Sequence, residues 1–180
     1  MFAGERVRLR GLQESDIDDL AGMEVQAEAV RLRRQGPIWP GGRAEAEALY
    51  ERTRTAAPDR ISFAIEAIDD GRFVGHCVLA TVSRTHRSAE IGIGLLEEDT
   101  GRGYGGEALR LLLEYAFAGM LLHRVHALVR ADDERGIAAF TAAGLKLEAR
   151  LREEALDLDG NRVDVLSVSV LHDEWREAVA

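Results

Sequence analysis

The sequence predicts an α/β fold of the α+β kind, in which helices pack on one sheet, and three observations support this prediction. Residues Ala89–Ala118 run from a short apolar stretch through a glycine-rich turn into a largely buried helical pattern. Asp70-Gly71 and Asp159-Gly160-Asn161 each separate two apolar runs, as the turn of a β-hairpin does. The 180 residues suit one domain with a sizeable core, so we expect a single domain over residues 1–180.

The elements predicted up to the glycine turn are a strand, two helices and three further strands. Val7 and Leu9 alternate with arginines, which is typical of a half-buried strand, and Ser15 or Asp16 can cap the helix that follows. Gly36–Gly42 is the clearest loop of the chain. The other segments are a helix from about Arg43 to Ala56 and strands over Ser62–Ile68, Phe73–Val82 and Ala89–Leu96.

The elements predicted after the glycine turn are a long helix, a strand, a short helix and a hairpin. In the long helix, Glu107, Arg110 and Glu114 are spaced three and four apart and mark one solvent-facing stripe. In the hairpin, the apolar phase shifts near Glu153–Ala155, which predicts a β-bulge. The segments are a strand over Val125–Val129, a helix over Glu134–Ala143, hairpin arms over Lys146–Leu158 and Arg162–Leu171, and a terminal helical turn over Asp173–Ala178.

The charge balance limits the partners that the chain can bind. It has 23 Lys and Arg against 32 Asp and Glu, a net charge of −9. This disfavours nucleic acid, because phosphate binding needs a basic surface. It mildly favours a cationic acceptor such as an amine, or a basic protein surface, while solubility alone accounts for most of the charge.

Other features of the composition favour the cytoplasm. No apolar run approaches the about 20 residues of a membrane span, and the start of the chain lacks the apolar core of a signal peptide. The single cysteine, Cys77, excludes an intrachain disulfide. None of the five histidines has the spacing of a metal site, so we expect no metal.

The glycine-rich turn Thr100–Gly106 is the first candidate site. The first N–H groups of a helix have no partner within the helix, and the helix dipole adds positive charge at the same end. Glycines let a phosphate approach the main chain without meeting a Cβ. The turn therefore predicts a pyrophosphate site, and the alternative is an ordinary turn between a strand and a helix.

Two known nucleotide-binding motifs are excluded. Gly101, Gly103 and Gly106 satisfy the G-x-G-x-x-G pattern, but a long segment with hairpin signals precedes them and the next strand has no acid at its end, unlike a Rossmann fold. A P-loop is also absent, because no Gly-Lys-Ser/Thr follows the glycines.

The spacing of the turn resembles the GNAT acyl-CoA N-acetyltransferases. Their signature is Gln/Arg-x-x-Gly-x-Gly/Ala, and this chain has Thr100-Gly101-Arg102-Gly103-Tyr104-Gly105. The wider run AEIGIGLL followed by GRGYGGEAL is most similar to the RimJ/RimL branch, which acetylates protein N-termini, and to the related polyamine acetyltransferases. Thr100 departs from the usual Gln or Arg, a change that a main-chain cradle tolerates.

The resemblance implies a fold and a cofactor. The fold is a central mixed, mostly antiparallel sheet of six or seven strands, splayed at its centre and flanked by about four helices. The co-substrate is acetyl-CoA, whose pantetheine arm lies beside the central strand while a backbone N–H polarises the thioester carbonyl. By position, the resemblance assigns the pantetheine to Ile93, Gly94 and Leu95, for which plain core residues are the alternative reading. It assigns the pyrophosphate to Thr100, Gly101, Arg102, Gly103, Tyr104, Gly105 and Gly106.

Glu90 is the candidate catalytic base. It stands in an otherwise apolar strand, early in Ala-Glu-Ile-Gly, and similar positions in some GNAT enzymes carry a glutamate that takes the proton of the amine, often through water. The alternative is a structural salt bridge with Arg87 or another arginine.

A second family landmark is present with its polar residues changed. The pattern Asn-x-x-Ser/Ala-x-x-x-Tyr-x-x-x-Gly-Phe aligns with Asp133, Gly136, Phe140, Gly144 and Leu145. Asp133 replaces the asparagine that contacts the cofactor, and its carboxylate can still accept a hydrogen bond. Phe140 replaces the tyrosine credited with protonating the leaving thiolate, and phenylalanine has no proton to give. Either CoA leaves as a thiolate, another acid serves, or catalysis is impaired.

These observations predict an N-acetyltransferase that moves an acetyl group from acetyl-CoA to a primary amine by direct transfer. The acceptor is a protein N-terminus, a polyamine or another small amine, and the assembly of a homodimer is compatible with the family. The alternatives are a catalytically silent CoA-binding or regulatory module and a binder of another nucleotide. The early helices, the loop near Trp39 and the final hairpin shape the acceptor site of this fold, and Trp39 either lines that site or anchors its loop.

Overall fold

A computed structural model describes residues 2–25, 42–54, 59–157 and 159–179 of the chain. Within them one sheet has the strand order β1-β2-β3-β4-β5-β6-β8-β7. All neighbouring strands pair antiparallel except β5 and β6, which are parallel. The strands are β1 (Phe2–Ala3), β2 (Val7–Arg10), β3 (Ile61–Ala67), β4 (Phe73–Ser83), β5 (Ser88–Leu95), β6 (Arg124–Arg130), β7 (Lys146–Leu156) and β8 (Arg162–Leu171).

Helices cover both faces of the sheet. In the described residues they are α1 (Ile17–Val25), α2 (Arg43–Arg54), α3 (Tyr104–Glu114), α4 (Glu134–Ala142) and α5 (His172–Val179). Ile65 packs in the cluster that contains α3, and its neighbour Ala64 packs in the cluster that contains α1 and α2. Because successive strand residues point to opposite faces, α3 lies on one face and the α1–α2 pair on the other.

The sheet opens at its centre, as the resemblance implies. β5 and β6 pair only at their first residues, Ser88 with Arg124, Ala89 with Val125 and Glu90 with His126. Beyond Glu90, β5 stays paired to β4 as far as Leu95 but has no partner on its other side among the described residues. A cleft therefore begins at the centre of the molecule.

The mixed, mostly antiparallel fold expected from the sequence is confirmed, and the structure adds detail. The two-residue strand β1 is an eighth strand that the sequence pattern is too short to reveal. The bulge predicted near Glu153 lies in a register shift between Leu151 and Ala155, where Glu153 has a φ of +56°.

Two local predictions were wrong. Neither Ser15 nor Asp16 is the N-cap of the first helical segment; Gln13 is the N-cap, and the buried Asp16 carboxylate accepts a hydrogen bond from the Gln13 main chain at 2.8 Å in a capping box and pairs with Arg10. Glu107 does not face solvent, because its carboxylate accepts hydrogen bonds from the N–H groups of Arg6 at 2.9 Å and Val7 at 3.3 Å. The Asp16 contacts are local, with Gln13 and Arg10, whereas the partners of Glu107 lie about one hundred residues away in the sequence, and helical periodicity registers neither kind of contact.

The predicted loop up to Gly41, with Trp39, lies outside the described residues. Of the helices in the described ranges, none is long and apolar enough to cross a membrane.

Candidate active site

A cleft of about 460 Å³ occupies the opening between β5 and β6. Gly92 and Ile93 of β5 and Val129 of β6 form its walls, α4 borders one end, and α1 and α2 border the other. Its charged and titratable lining consists of Glu45, Arg52, Arg60, His76, Glu90 and Asp133.

Glu90 lies where the sheet begins to open. It is the last residue of β5 that pairs with β6, it is partly exposed, and it lines the cleft. The alternative salt bridge with Arg87 is not formed, since the Arg87 side chain donates to the Leu121 carbonyl at 2.8 Å. Within the described residues the Glu90 carboxylate has no ion pair shorter than 4.0 Å. A carboxylate in this position can accept a proton from a molecule in the cleft.

The three strand residues assigned to pantetheine do not all border the cleft. Ile93 and Gly94 line the cleft, and Leu95 does not. A Cβ built on Gly105 would lie 3.4 Å from Leu95 Cδ1, so Leu95 packs under the glycine-rich turn. The unpaired edge of β5 presents main-chain groups to the cleft, and these can hydrogen-bond an extended molecule as an added strand would.

The glycine-rich turn is anchored from below by a buried carboxylate. Asp99 is fully buried and accepts hydrogen bonds from the Arg72 guanidinium, one of them at 2.6 Å, while Arg102 approaches it at 3.8 Å. The Thr100 hydroxyl donates to the Glu97 carbonyl at 2.8 Å. Thr100 and Arg102 are thus held by contacts within the turn and the segment just before it.

The turn delivers the start of α3 to the surface. Gly103 is the N-cap of α3 and has a φ of +84°, a conformation that other residues adopt with strain. Gly101 is also left-handed, with a φ of +76° and open space around it. The Tyr104 side chain is buried in the core, so only its main chain is available to a ligand. The first N–H groups of a helix have no partner within it, and this helix start is therefore the candidate for the predicted anion cradle.

Arg6 adds a positive charge to this cradle that sequence reasoning missed. A Cβ built on Gly103 would lie 2.5 Å from a guanidinium nitrogen of Arg6, so the guanidinium lies over the turn. Glu107, four residues into α3, holds the main chain of Arg6. No sequence signal links the two, because about one hundred residues separate them.

Asp133 and Gly136, two residues of the second family landmark, cap the start of α4 together. Asp133 is the N-cap of α4, and its Oδ1 accepts a hydrogen bond from the Gly136 N–H at 2.8 Å. A Cβ on Gly136 would lie 2.3 Å from Asp133 Oδ2 and 3.1 Å from Val129 Cγ2. The aspartate and the glycine therefore fit each other, and both border the cleft.

Phe140 lies one helical turn further along the same border. It is 6% exposed, belongs to the main apolar cluster and lines the cleft. Its ring supplies an apolar wall and no proton.

The far end of the cleft carries charged residues that sequence reasoning also missed. Burial lowers the pKa of Arg60, and the neighbouring positive charge of Arg52 lowers it further. The Arg60 Nε is buried and has no hydrogen-bond partner in the described residues. Arg60 is close enough to Glu90 for the negative charge of Glu90 to raise the pKa of Arg60 in part. Arg52 lies on α2, Arg60 lies just before β3 and Glu90 lies on β5, so no local sequence motif contains all three.

The fold and the site define a class of protein. A mixed sheet that opens beside an unpaired strand, a glycine-rich helix start next to that strand and a carboxylate in the opening are features of acyltransferases that use a CoA thioester. In the described residues, no three side chains of His, Cys, Asp or Glu are grouped to hold a metal ion.

Comparison with known proteins gives the family. Residues 6–146 match the model of the acetyltransferase (GNAT) domain, so the chain belongs to the GNAT acetyltransferases, as its resemblance predicted. A spermidine N(1)-acetyltransferase of Escherichia coli (strain K12) is 25% identical over 154 residues, which are 86% of this chain and 80% of that protein. YdaF of Bacillus subtilis (strain 168), named as a candidate ribosomal N-acetyltransferase, is 29% identical over 178 residues, 95% of this chain and 94% of YdaF.

A solved structure shows the same fold. The spermidine N-acetyltransferase of Vibrio cholerae, in complex with CoA and spermine, has a TM-score of 0.85 and 21% sequence identity to this chain. The match covers 94% of this chain and 98% of that one.

Proposed function

We propose that this chain transfers an acetyl group from acetyl-CoA directly to a primary amine within the cleft between β5 and β6. The observation that carries this proposal is the position of Glu90, a carboxylate without an ion pair in the described residues, at the point where β5 loses its partner. The amine and the thioester would meet beside it.

The donor fits the side of the cleft that β5 and α3 form. The cradle at Thr100–Gly106, with Arg6 above it, suits a pyrophosphate. From there the pantetheine arm can run along the unpaired edge of β5 past Gly94 and Ile93 toward Glu90. Main-chain N–H groups along that edge are fixed donors, and one donor to a developing oxyanion is worth about 3 kcal/mol.

The reaction then needs one base and a tolerable leaving group. The amine nitrogen attacks the thioester carbonyl carbon, its proton passes to Glu90 directly or through a water, and the carbon–sulfur bond breaks. Phe140 gives no proton, so CoA departs as a thiolate, which is acceptable because a cysteine-like thiol has a pKa of about 8.5. We likewise propose that CoA is bound by the glycine turn and by Ile93, Gly94, Leu95 and Asp133.

An acceptor screen tests this function. The protein is incubated with acetyl-CoA and a panel of N-terminal peptides, polyamines, amino acids and aminoglycosides, and free thiol is followed with a thiol-reactive dye. We expect thiol release that depends on the acceptor, with the acetylated product identified by mass spectrometry. Calorimetry with CoA, NAD and ATP should show that CoA alone binds tightly.

The second candidate function is a catalytically silent CoA-binding module. Phe140 favours it, because the residue removes the usual acid. Tight CoA binding without turnover on the whole panel would establish this alternative and contradict ours.

We also propose a single domain, a cytoplasmic location and a homodimer. One sheet spans β1 to β8 with an apolar cluster on each face, which supports a single domain, and the one cysteine is buried, which excludes an intrachain disulfide. β7 is an edge strand with Leu147 63% and Leu156 52% exposed, an apolar surface that a second copy could cover. Light scattering after gel filtration measures the mass, and a monomer at micromolar concentration would contradict the dimer.

A further inference from the structure

Arg60 differs from the other arginines that the described structure shelters from solvent. Six arginines of the described residues are not exposed, and five of them pair with a carboxylate. The pairs are Arg8 with Glu66, Arg10 with Asp16 and Glu66, Arg72 with Asp99, Arg124 with Glu148 and Arg130 with Asp132.

Arg60 is the sixth, and it has no such pair in the described part of the chain. Its Nε is buried without a hydrogen-bond partner, and its guanidinium lines the cleft. A sheltered cation without a direct ion pair is unfavourable, so we expect the charge to be paired when the cleft is filled. A guanidinium binds carboxylate and phosphate oxygens in a two-pronged arrangement, which makes an oxyanion the fitting partner.

The position of Arg60 assigns this oxyanion to the acceptor. Arg60 lines the cleft with Arg52 of α2, on the side away from the glycine turn where the pyrophosphate is placed. Glu90 lies close enough for its charge to act on Arg60. An acceptor whose amine approaches Glu90 would therefore place its neighbouring atoms near Arg60.

The negative charges of Asp59 and Glu90 raise the pKa of Arg60 in part, but neither carboxylate forms an ion pair with Arg60 in the described residues. Asp133 is committed to the cap of α4 at the opposite border. Arg52, in contrast, brings a second positive charge near Arg60 and lowers the pKa of Arg60.

We infer that the acceptor is an amine that carries an oxyanion, a carboxylate or a phosphate, a few bonds from the nitrogen, and that Arg60 binds this group. The inference rests on the proposed acetyl transfer and narrows its substrate. A polyamine would bring a second positive charge toward Arg60 and Arg52, and like charges at short range disfavour binding. The net charge of −9 attracts cations to the molecule as a whole, but the local charge of the cleft selects among them.

Matched pairs of acceptors test the inference. The pairs are glutamate with glutamine amide, in which both carboxylates are replaced by amides, and phosphoethanolamine with ethanolamine. Spermidine is added as the polycation. We expect wild-type kcat/KM to favour the anionic member of at least one pair by roughly 10- to 100-fold, the effect of one or two charge-assisted hydrogen bonds. The two pairs distinguish a carboxylate from a phosphate.

Two variants and a control identify the residue responsible. Arg60→Gln should remove the preference mainly by raising the KM of the anionic acceptor, and Arg60→Lys should keep part of it. The control is Arg54→Gln on α2, whose guanidinium is exposed and pairs only with Glu51, at 3.3 Å, in the described ion pairs. Arg54→Gln should behave as wild type, and CoA affinity should be the same in all four proteins.

A binding measurement separates this inference from the proposed function. Calorimetry of the same acceptor pairs with CoA-loaded protein needs no turnover. An anion preference that Arg60→Gln abolishes would support the inference even in a protein that acetylates nothing. Equal binding within both pairs, tighter binding of spermidine, or a preference unchanged in Arg60→Gln would overturn it even if acetyl transfer is fast.

Discussion

The donor side and the acceptor side of the cleft are built in different ways. On the donor side, most of the cradle is one continuous segment, Thr100–Gly106, together with the strand before it, and its proposed contacts are main-chain groups, with the Arg6 guanidinium as the one distant side chain that we add. On the acceptor side, the lining is made of side chains from distant segments, with Glu45 and Arg52 on α2, Arg60 before β3 and His76 on β4.

This difference explains why the donor side can be predicted from the sequence and the acceptor side cannot. A main-chain site needs a particular backbone path, and the glycines that permit this path stand close together in the chain. A side-chain site needs only that the fold brings separate residues together, and a lone arginine before a strand resembles any surface arginine. Substitutions on the donor side should therefore weaken CoA binding, and substitutions on the acceptor side should weaken acceptor binding. Only residues between the two sides, such as Glu90, should change the rate of acetyl transfer.

The largest effect is expected from Gly103→Val on the donor side. The new side chain would occupy the cradle and displace the Arg6 guanidinium, which lies 2.5 Å from the position of a Cβ. Loss of two or more charge-assisted hydrogen bonds should weaken CoA binding by more than about 100-fold in calorimetry.

The control for this substitution is Gly160→Val. Gly160 has a φ of +82° and open space around it, in the hairpin between β7 and β8, so the backbone strain is the same and the site is distant. CoA affinity within twofold of wild type is expected there. If folded Gly103→Val also keeps its affinity, the pyrophosphate is bound elsewhere and the comparison fails on its donor side.

Glu90→Gln should produce the largest effect on chemistry. The amide cannot accept the proton of the amine, so kcat should fall by roughly 100-fold and the acidic limb of the pH–rate profile should disappear. CoA affinity should hardly change, because the proposed donor contacts are main-chain groups further along β5.

Glu98→Gln removes an exposed carboxylate just after the same strand and serves as the control, with kcat expected to match wild type. Wild-type turnover of Glu90→Gln on its best acceptor would return Glu90 to a structural role and leave the cleft without its proposed base.

The fold was largely predictable because its elements depend on local signals. Asp70-Gly71 forms the predicted turn between β3 and β4, with Gly71 at a φ of +75°. The apolar runs of β5 and α3 match the predicted core. The failures at Asp16 and Glu107 have different causes: Asp16 takes the third position of a local capping box with Gln13, whereas Glu107 is buried by the main chain of Arg6, which only the folded chain brings near.

The candidate site was predictable where it is continuous. Spacing and resemblance proposed the glycine turn, Ile93 and Gly94, whereas Arg6, Arg60 and His76 joined the candidate site only in the structure, because each lies far in sequence from the glycine turn. Asp133 is an intermediate case. Its position was predicted, but its cap on α4 and its fit to Gly136 required the structure.

Gly136→Ala should lower stability with a smaller effect on function. The added Cβ would meet Asp133 Oδ2 at 2.3 Å and Val129 Cγ2 at 3.1 Å, so we expect a loss of about 1–3 kcal/mol in the free energy of unfolding in urea. In an Asp133→Ala background the same substitution should cost less, which a double-mutant cycle measures.

Gly22→Ala is the matched control, because Gly22 is a helical glycine with nothing within 4 Å of its Cβ position. It should raise stability by about 0.5–1 kcal/mol. Equal effects at the two glycines would mean that Asp133 and Gly136 are independent and that the landmark on α4 changed for another reason.

The smallest effect is expected from Phe140→Tyr, which restores the residue usual in the family. Phe140 is 6% exposed in an apolar cluster, and a hydroxyl buried there without a partner costs about 1–3 kcal/mol. If CoA departs as a thiolate, the new acid has nothing to add, so kcat should stay level or fall slightly.

Phe73→Tyr is the control, since Phe73 is 5% exposed but does not line the cleft, and it reports the cost of a buried hydroxyl away from the site. A several-fold rise of kcat in Phe140→Tyr, with an unchanged melting temperature, would show instead that protonation of the leaving group limits this enzyme. The border of the cleft formed by α4 would then be a site that lost its acid, and the pairing of Asp133 with Gly136 would be unrelated to that loss.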